Sequence, residues 1–274
     1  MCLIDSHGHL QATAFAGDLD EVIGAARSAG VERLLAPGWD AASSAASLEL
    51  ARRHDFIDAA VGLHPHHAAE VEATAWAEIE TLAQDPLVVA IGETGLDYDR
   101  AFSPRPAQLS NLRRNLALAL ATGKPAVLHC RSGPGARDAQ DELIAELRAA
   151  GVGGQAWRAA FGPRPPALLH SFSGPPDYAE AALELGLMIS FSGLVFRRGE
   201  EGSAAVARFV PEARLLIETD APYLRPPDAP RRRNEPSFVR VTAHWLAERR
   251  GSAPEALGAR LVENYDRAFR GSRR

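Results

Sequence analysis

The sequence contains few of the features that mark secreted or membrane proteins. Its two cysteines, Cys2 and Cys130, lie far apart and form no C-x-x-C pair, which argues against a disulfide framework and a zinc knuckle. We expect both thiols to be reduced and mostly buried. No apolar run approaches the roughly 18 residues of a membrane span, and no basic and apolar leader precedes the first predicted strand. These absences predict a cytoplasmic protein with no membrane partner.

Excess positive charge is also missing. With 30 basic and 35 acidic residues, the chain has a formal net charge of -5, so bulk charge does not attract it to nucleic acid. Any polyanion therefore has to bind to a local cluster of basic residues. The pair Arg197–Arg198 and the triplet Arg231–Arg233 lie in predicted loops. Tyr223 lies upstream of the triplet in the same loop. Basic groups beside aromatic rings suit a single nucleic-acid strand, although acidic residues share both loops.

Short apolar runs alternate eight times with longer amphipathic stretches of helical period. This alternation is typical of repeated β-then-α units. No G-x-G-x-x-G turn follows the first run, which disfavours an open dinucleotide-binding sheet. We therefore predict an α/β protein, a (β/α)8 TIM barrel, as a single domain over residues 1–274. The predicted strands are Cys2–Asp5, Val31–Ala36, Ile57–Val61, Leu87–Ile91, Ala126–His129, Ala167–His170, Leu187–Phe191 and Leu215–Glu218.

Metal-capable side chains stand at the ends of several of these strands. His7 and His9 are two residues apart, so on an extended chain both imidazoles point to the same side. The carboxyl ends of barrel strands meet at one face, and burying so many polar groups there without partners is costly. A shared divalent cation explains the coincidence. The residues that the pattern brings to this face are His7, His9, Glu93, His129, His170 and Asp220.

Seven co-linear motifs resemble the TatD-type metal-dependent deoxyribonucleases of the amidohydrolase superfamily. They are Asp5-Ser6-His7-Gly8-His9, Gly62-Leu63-His64-Pro65-His66, Ile91-Gly92-Glu93-Thr94-Gly95-Leu96-Asp97-Tyr98, Leu128-His129-Cys130-Arg131, His170-Ser171-Phe172-Ser173-Gly174, Ile217-Glu218-Thr219-Asp220-Ala221-Pro222-Tyr223-Leu224 and Arg233-Asn234-Glu235-Pro236. The resemblance implies a barrel that holds two divalent metals.

The same resemblance implies how the ligands are divided between the two metals. The first metal would be held by His7, His9, Glu93 and Asp220. The second would be held by Glu93, His129 and His170. Glu93 would then be the bridging ligand, because the only lysine precedes the fifth strand and is misplaced for a carbamylated bridge. The histidine-rich set favours zinc or manganese, and magnesium is a further candidate where its concentration is high.

The implied function is phosphodiester hydrolysis of DNA by a metal-activated water. Attack from an end or on single strands is expected, because a barrel mouth excludes an intact duplex from deep contact. An ester or amide hydrolase, such as a deacylase of aminoacylated RNA or of a small metabolite, would use the same metals. A non-catalytic binding protein that has only kept the barrel fold is disfavoured, because all six predicted metal-ligand positions are intact. No obligate protein partner is evident.

Two acidic residues at the end of the eighth predicted strand have alternative roles. Asp220 is the predicted general base, and Glu93 is the other predicted catalytic residue. The alternative for Asp220 is a plain ligand or a cap for the segment beginning at Ala221. Glu218, on the same side of the chain as Asp220, either orients a ligand or pairs with an arginine inside the barrel.

Three further residues are predicted to bind substrate. His64 and His66 follow the third strand and suit a phosphate oxygen or a leaving group, whereas the alternative is a hydrogen bond within their turn. Arg131 can fork onto a phosphate, but a salt bridge to Asp97 is equally plausible. The sequence also predicts that Asn234–Pro236 clamps a loop and starts a helix. Residues Gly151–Pro166 are predicted as an enlarged connection in which Trp157 and Phe161 serve packing.

Overall fold

Eight parallel strands form one sheet whose spatial order follows the chain from β1 to β8. The computed structural model describes residues 1–69, 72–227, 229 and 233–271. Within these residues the strands are β1 Leu3–Asp5, β2 Val31–Pro37, β3 Ile57–Val61, β4 Val88–Asp97, β5 Ala126–Arg131, β6 Ala167–Leu169, β7 Met188–Phe191 and β8 Leu215–Ile217.

The first and last strands close the sheet. The Ser6 backbone N–H donates to the Ile217 carbonyl at 3.0 Å, and a parallel bridge joins Gly8 to Ala221. Every strand pair between β1 and β8 is parallel. The predicted (β/α)8 barrel is therefore confirmed.

Helices follow the strands, as the sequence periodicity predicts. Among the described residues they are α1 Leu19–Ser28, α2 Ala41–Arg53, α3 Ala73–Leu82, α4 Arg105–Thr122, α5 Asp138–Ala149, α6 Gln155–Phe161, α7 Pro176–Glu184, α8 Glu201–Phe209, α9 Val239–Arg250 and α10 Pro254–Tyr265. None of the helices in the described part of the chain is long and apolar enough to cross a membrane.

The strands read as near-continuous apolar runs because both of their faces are covered. All five residues of β3 and all ten of β4 are buried. One side packs inside the barrel and the other under the helices, which is the usual situation of parallel strands. This double burial makes the strand ends stiff supports for side chains at the barrel mouth. The extent of one domain over residues 1–274 stays a prediction, which this continuous sheet favours.

The fourth strand is longer than predicted. The sequence placed its end at Ile91 with Glu93 beyond it, whereas β4 runs to Asp97 and contains Glu93. Gly92 and Gly95 flank Glu93 with φ of 142° and 141°, and a Cβ at Gly95 would lie 1.9 Å from the His129 carbonyl oxygen. The pairing with β5 shifts register between Ile91 and Thr94. This glycine-dependent irregularity re-aims the Glu93 side chain.

Two other expectations need correction. The segment Gly151–Pro166, predicted as an enlarged connection, joins α5 to β6 but also contains the short helix α6, which was not predicted. The predicted packing role of Trp157 and Phe161 is correct, because both are buried and their rings stack with centroids 5.2 Å apart. Both cysteines are free, but Cys2 is exposed rather than buried.

A buried ion pair lies at the amino-terminal end of the barrel. Asp58 on β3 is fully buried and accepts from Arg270 Nε at 2.6 Å and from the Tyr265 hydroxyl at 3.0 Å. Tyr265 ends α10, and Arg270 ends the π-helix Asp266–Arg270 that follows it. The pair therefore ties the end of the described chain to the inner sheet, away from the face where β strands end.

Candidate metal centre

The carboxyl ends of the strands surround a cavity of about 620 Å³. This volume lies within the range of small-molecule sites. Most predicted site residues line the cavity, whereas His7 and Glu218 are fully buried beneath it. The predicted residues that line it are His9, His64, His66, Glu93, His129, Arg131, His170 and Asp220. The structure thus brings together side chains that are separated by more than two hundred positions in the sequence.

Glu93 lies at the centre of the cluster, and its two carboxylate oxygens face different groups. Oε2 is 3.2 Å from His7 Nε2 and 3.5 Å from His9 Nε2. Asp220 Oδ1 completes this group, at 3.5 Å from His9 Nε2 and 3.8 Å from His7 Nε2. We call these residues with Glu93 Oε2 the His7 group.

The other Glu93 oxygen faces the ends of β5 and β6. Oε1 is 2.9 Å from His129 Nδ1 and 2.9 Å from His170 Nε2, and these two nitrogens are 3.2 Å apart. We call this set the His129 group. The division of the Glu93 oxygens between the two groups is the one that the predicted bridging role requires.

Hydrogen bonds on the far sides of the rings assign the tautomers. His9 Nδ1 donates to the Pro37 carbonyl at 3.1 Å, and His170 Nδ1 donates to Glu218 Oε1 at 3.1 Å. His129 Nε2 donates to Asp97 Oδ2 at 3.3 Å. In the neutral form that metal binding requires, each ring therefore turns an unprotonated nitrogen towards Glu93. Lone pairs then face a carboxylate.

This arrangement fits a divalent metal. Unprotonated imidazole nitrogens and carboxylate oxygens repel one another unless a cation lies between them, and they are ligands that zinc and manganese accept. Triplets of these atoms lie within 4.8 Å of one another, among them His7, His9 and Glu93. The residues present are therefore suited to hold metal ions at the mouth of the barrel.

Glu93 is charged in this setting. Burial raises the pKa of its carboxyl, but the surrounding imidazoles outweigh burial when they are protonated, His170, His64 and His7 through their charge and His129 through a hydrogen bond, and hold the pKa well below its usual range. A metal ligand has to be deprotonated, so the protein already supplies Glu93 in the form that a metal needs.

His64 differs from the other histidines of the cluster. Proximity alone groups it with Glu93 and His129. However, its Nδ1 accepts from the His66 backbone N–H at 3.1 Å, so the neutral ring carries its proton on Nε2, 3.2 Å from Glu93 Oε1. Burial lowers the pKa of His64 to about 3, which keeps the ring neutral. His64 is thus a hydrogen-bond donor at the cavity, with the predicted turn bond also present.

Glu218 and Asp220 occupy different positions. Glu218 Oε1 accepts from His170 Nδ1 and from the Ser171 N–H and hydroxyl at 2.5 and 2.8 Å, whereas an arginine partner is not found among the described residues. This favours the predicted orienting role. The Asp220 side chain faces His7 and His9 rather than the segment from Ala221, which disfavours the capping alternative.

Asp97 is a site residue that the sequence reasoning missed. It was considered only as a partner of Arg131, yet its Oδ2 accepts from His66 Nε2 at 2.6 Å and from His129. Burial raises its pKa, but the hydrogen bonds from His129 and His66 outweigh burial and the pKa falls below its usual range. The two-residue period of β4 was the available signal, since it carries Glu93 and Asp97 on one side.

The predicted substrate contacts lie at the rim. His66 is held by Asp97 and is 23% exposed. Arg131 Nε lies 3.7 Å from Asp97 Oδ2, so the predicted alternative of a salt bridge is present, but the side chain remains 41% exposed towards the cavity.

The basic loops give a mixed result. Arg197 and Arg198 are exposed. Arg231 and Arg232 lie outside the described residues. Arg233 is paired with Asp18 at 2.5 Å, so it is a structural cation and not a rim contact. Asn234 Nδ2 donates to the Thr219 carbonyl at 2.7 Å, which agrees with the predicted loop clamp.

Comparison with known proteins places this geometry in a family. The model of the TatD-related DNase family matches residues 4–270. The chain belongs to this family. A 3'-5' ssDNA/RNA exonuclease TatD of Erwinia billingiae is 38% identical over 275 residues, covering 98% of this chain and 99% of the relative. An uncharacterized metal-dependent hydrolase YabD of Bacillus subtilis is 34% identical over 271 residues, covering 98% and 99%.

Solved structures agree with this assignment. YJJV, a TatD homologue from Escherichia coli, superposes with a TM-score of 0.83 at 27% identity, covering 98% of both chains. An uncharacterized amidohydrolase from Saccharomyces cerevisiae has a TM-score of 0.80 at 20% identity, and the match covers 98% of this chain and 100% of the other. At this identity the likeness shows only a shared fold. The predicted TatD family and the predicted class, a metal-dependent hydrolase of the nuclease type, are confirmed.

Proposed function

We propose that this TatD-family protein is an exonuclease that removes nucleotides from the ends of single-stranded DNA with two divalent metal ions bridged by Glu93. The observation that carries the proposal is the division of the Glu93 oxygens between the His7 group and the His129 group. The relatives named as 3'-5' ssDNA/RNA exonucleases support a 3' end as the site of attack and RNA as a second substrate. The cytoplasmic location stays a prediction.

Each residue of the cluster then has a defined task. The His7 group would hold one ion and the His129 group the other, with zinc or manganese favoured by the imidazole ligands and magnesium a further candidate. Ions bound there would acidify a water and neutralise charge on the phosphoryl oxygens. Glu218 orients His170 through its Nδ1 proton, and Asp97 orients His129 in the same manner.

We assign proton transfer to Asp220 and a hydrogen bond to the phosphate to His64. The Asp220 carboxylate is 14% exposed and faces the cavity, where it would take a proton from the attacking water and pass it to the sugar oxygen whose bond to phosphorus breaks. Burial raises the pKa of Asp220, but its hydrogen bond with His9 and the charges that His7 and His170 carry when protonated outweigh burial and lower it. The carboxyl group is thus deprotonated, as a general base has to be. His64 Nε2–H donates to a phosphoryl oxygen, and His66 and Arg131 hold the phosphate chain at the rim.

The cavity shape favours a single strand. Glu93 is only 3% exposed, so a scissile phosphate has to enter the mouth of the barrel to reach it. A duplex holds its phosphates on the outside of a wide cylinder and cannot present one at that depth, whereas a free end can.

The test is hydrolysis by purified protein loaded with manganese, zinc or magnesium. Single-stranded DNA labelled at either end, the same strand in a duplex, single-stranded RNA and acyl ester substrates are compared. We expect stepwise release of mononucleotides from single strands, faster than from the duplex, and loss of activity with a chelator. Ester cleavage without phosphodiester cleavage would reject the proposal in favour of the deacylase alternative.

A matched pair of variants separates the site from contaminating nucleases. Glu93→Gln is expected to reduce kcat by more than about a hundredfold, because the amide cannot bridge two cations. Glu142→Gln on α5 removes a carboxylate that contacts the Tyr98 hydroxyl, and it should leave kcat unchanged. Full activity in Glu93→Gln would contradict the proposal.

A further inference from the structure

Two exposed aromatic rings contact histidines that line the cavity. Among the described large apolar side chains, Tyr223 and Phe102 are the most exposed, at 59% and 69%. Single exposed apolar residues are common and need no explanation. These two rings, however, contact histidines on either side of Glu93, as described below.

One ring pair borders the His7 group. Tyr223, in the loop after β8, and Trp39, in the loop after β2, both contact the His9 ring edge to face, with centroids 6.0 and 5.4 Å away. His9 in turn lies 3.5 Å from Glu93 Oε2. We call Tyr223 and Trp39 the Tyr223 seat.

A second ring pair borders the His129 group. Phe102, in the loop after β4, contacts the His66 ring edge to face at 4.7 Å. The His66 ring lies 6.2 Å from the ring of His129, which is 2.9 Å from Glu93 Oε1. We call Phe102, positioned by its contact with His66, the Phe102 seat. Because the two Glu93 oxygens face the two groups, the seats lie on different sides of the carboxylate.

We propose that the two seats stack the two nucleobases that flank the scissile phosphate at Glu93, which rests on the proposed exonuclease function. Nucleobases of single strands are splayed apart and stacked on aromatic side chains in many nucleic-acid sites. A base-paired strand cannot splay its bases in this manner. The seats therefore select single strands by requiring two unpaired bases next to the bond that is cut.

Charge assigns the direction of the strand. Of the described residues that line the cavity, two are arginines, Arg100 and Arg131. Arg131 Nε lies 3.7 Å from Asp97 Oδ2, and the Arg100 backbone N–H donates to Asp97 Oδ1 at 2.9 Å. Asp97 also binds His66, so both arginines belong to the side of the Phe102 seat.

The remainder of the strand carries phosphates, whereas the terminal nucleoside has no phosphate beyond the scissile one. The basic side therefore receives the remaining strand and the penultimate base. The Tyr223 seat, next to Leu194 and Leu224 in the cavity wall, receives the terminal base.

The test combines side-chain and base deletions in manganese-loaded full-length protein. Tyr223→Leu and Phe102→Leu are assayed on a short single strand, on the same strand with an abasic terminal nucleotide, and on one with an abasic penultimate nucleotide. Phe209→Leu is the control, because Phe209 is 40% exposed but ends α8 and, among the described ring contacts, touches no histidine of the cavity.

On the complete strand, each seat variant should lose about five- to hundredfold in kcat/KM. The loss in Tyr223→Leu should vanish on the terminal abasic strand, and the loss in Phe102→Leu on the penultimate abasic strand. The control variant should match wild type on all three. Tyr223→Phe, which keeps the ring, should recover most of the loss.

Losses of kcat/KM that are equal on all three strands, or absent in both variants, would overturn the base-stacking role of the seats. Cleavage by the wild type would still support the exonuclease function in that case. An exchange of the two patterns would overturn the assigned strand direction. Failure of the wild type to cleave any strand would reject the exonuclease proposal itself, and the seats with it.

Discussion

Asp97 offers a sharp test of how the protein organises its cluster. Its Oδ2 accepts from His66 Nε2 at 2.6 Å and from His129 Nε2 at 3.3 Å, while its Oδ1 accepts from the Asp99 and Arg100 backbone N–H groups at 3.2 and 2.9 Å. Asp97→Asn keeps the shape of the side chain but replaces one acceptor with an N–H donor. Either the imidazoles or the backbone then meet a donor instead of an acceptor.

The expected effect is confined to one metal. Carboxylates that orient a ligand histidine contribute about 10- to 100-fold to metal affinity, which corresponds to about 1.4 to 2.7 kcal/mol. Asp97 touches His129 but has no contact with His7, His9 or the Asp220 side chain among the described interactions. We therefore expect the variant to weaken one of two metal-binding steps by 10- to 100-fold and to leave the other unchanged.

The assay is a calorimetric titration of metal-free protein with manganese or zinc. Asp99→Asn, which changes a neighbouring carboxylate that faces outward to Arg100, is the control and should titrate as the wild type does. The reasoning is refuted if Asp97→Asn leaves both steps unaltered, or if it weakens both steps equally.

Three further predictions concern stability. Asp58→Ala removes the fully buried carboxylate that pairs with the Arg270 guanidinium and should lower the free energy of unfolding by about 3 kcal/mol in urea titrations without changing metal content; an unchanged midpoint would contradict the pairing. Trp157→Ala should cost about 3 to 5 kcal/mol in the same assay, since the ring is 2% exposed and stacked in the core. A hydrogen bond from Arg113 lowers the pKa of Glu146, so the pair stabilises the fold above the usual carboxyl pKa of about 4.3 and this contribution is lost as the pH falls through the lowered value. The melting temperatures of wild type and Arg113→Gln should differ at pH 7 and converge in acid; a difference that grows in acid would contradict the sign.

The metal-ligand residues were predictable because residues that end the strands of a (β/α)8 barrel lie together at one mouth. Each histidine that ends an apolar run, such as His129 or His170, must lie at the barrel mouth once eight such runs are recognised. The grouping around Glu93 followed from the resemblance to the TatD family. The observed division of its oxygens agrees with that expectation.

Other features depend on contacts that no local pattern encodes. Asp97 matters because β4 continues beyond Ile91 and shifts register at glycines, so its partners are His66 in the turn after β3 and His129 on β5. The exposed ring of Phe102 gains meaning only from its distance to His66. The helix α6 was missed because the surrounding glycines and prolines mask a seven-residue stretch.

The central claim is that Glu93 lies between two metal ions. Anomalous diffraction from crystals loaded with manganese measures this directly. The account predicts two peaks about 3.5 to 4 Å apart, one next to the His7 group and one next to the His129 group, with the Glu93 carboxylate between them. A single peak, or peaks away from Glu93, would contradict it.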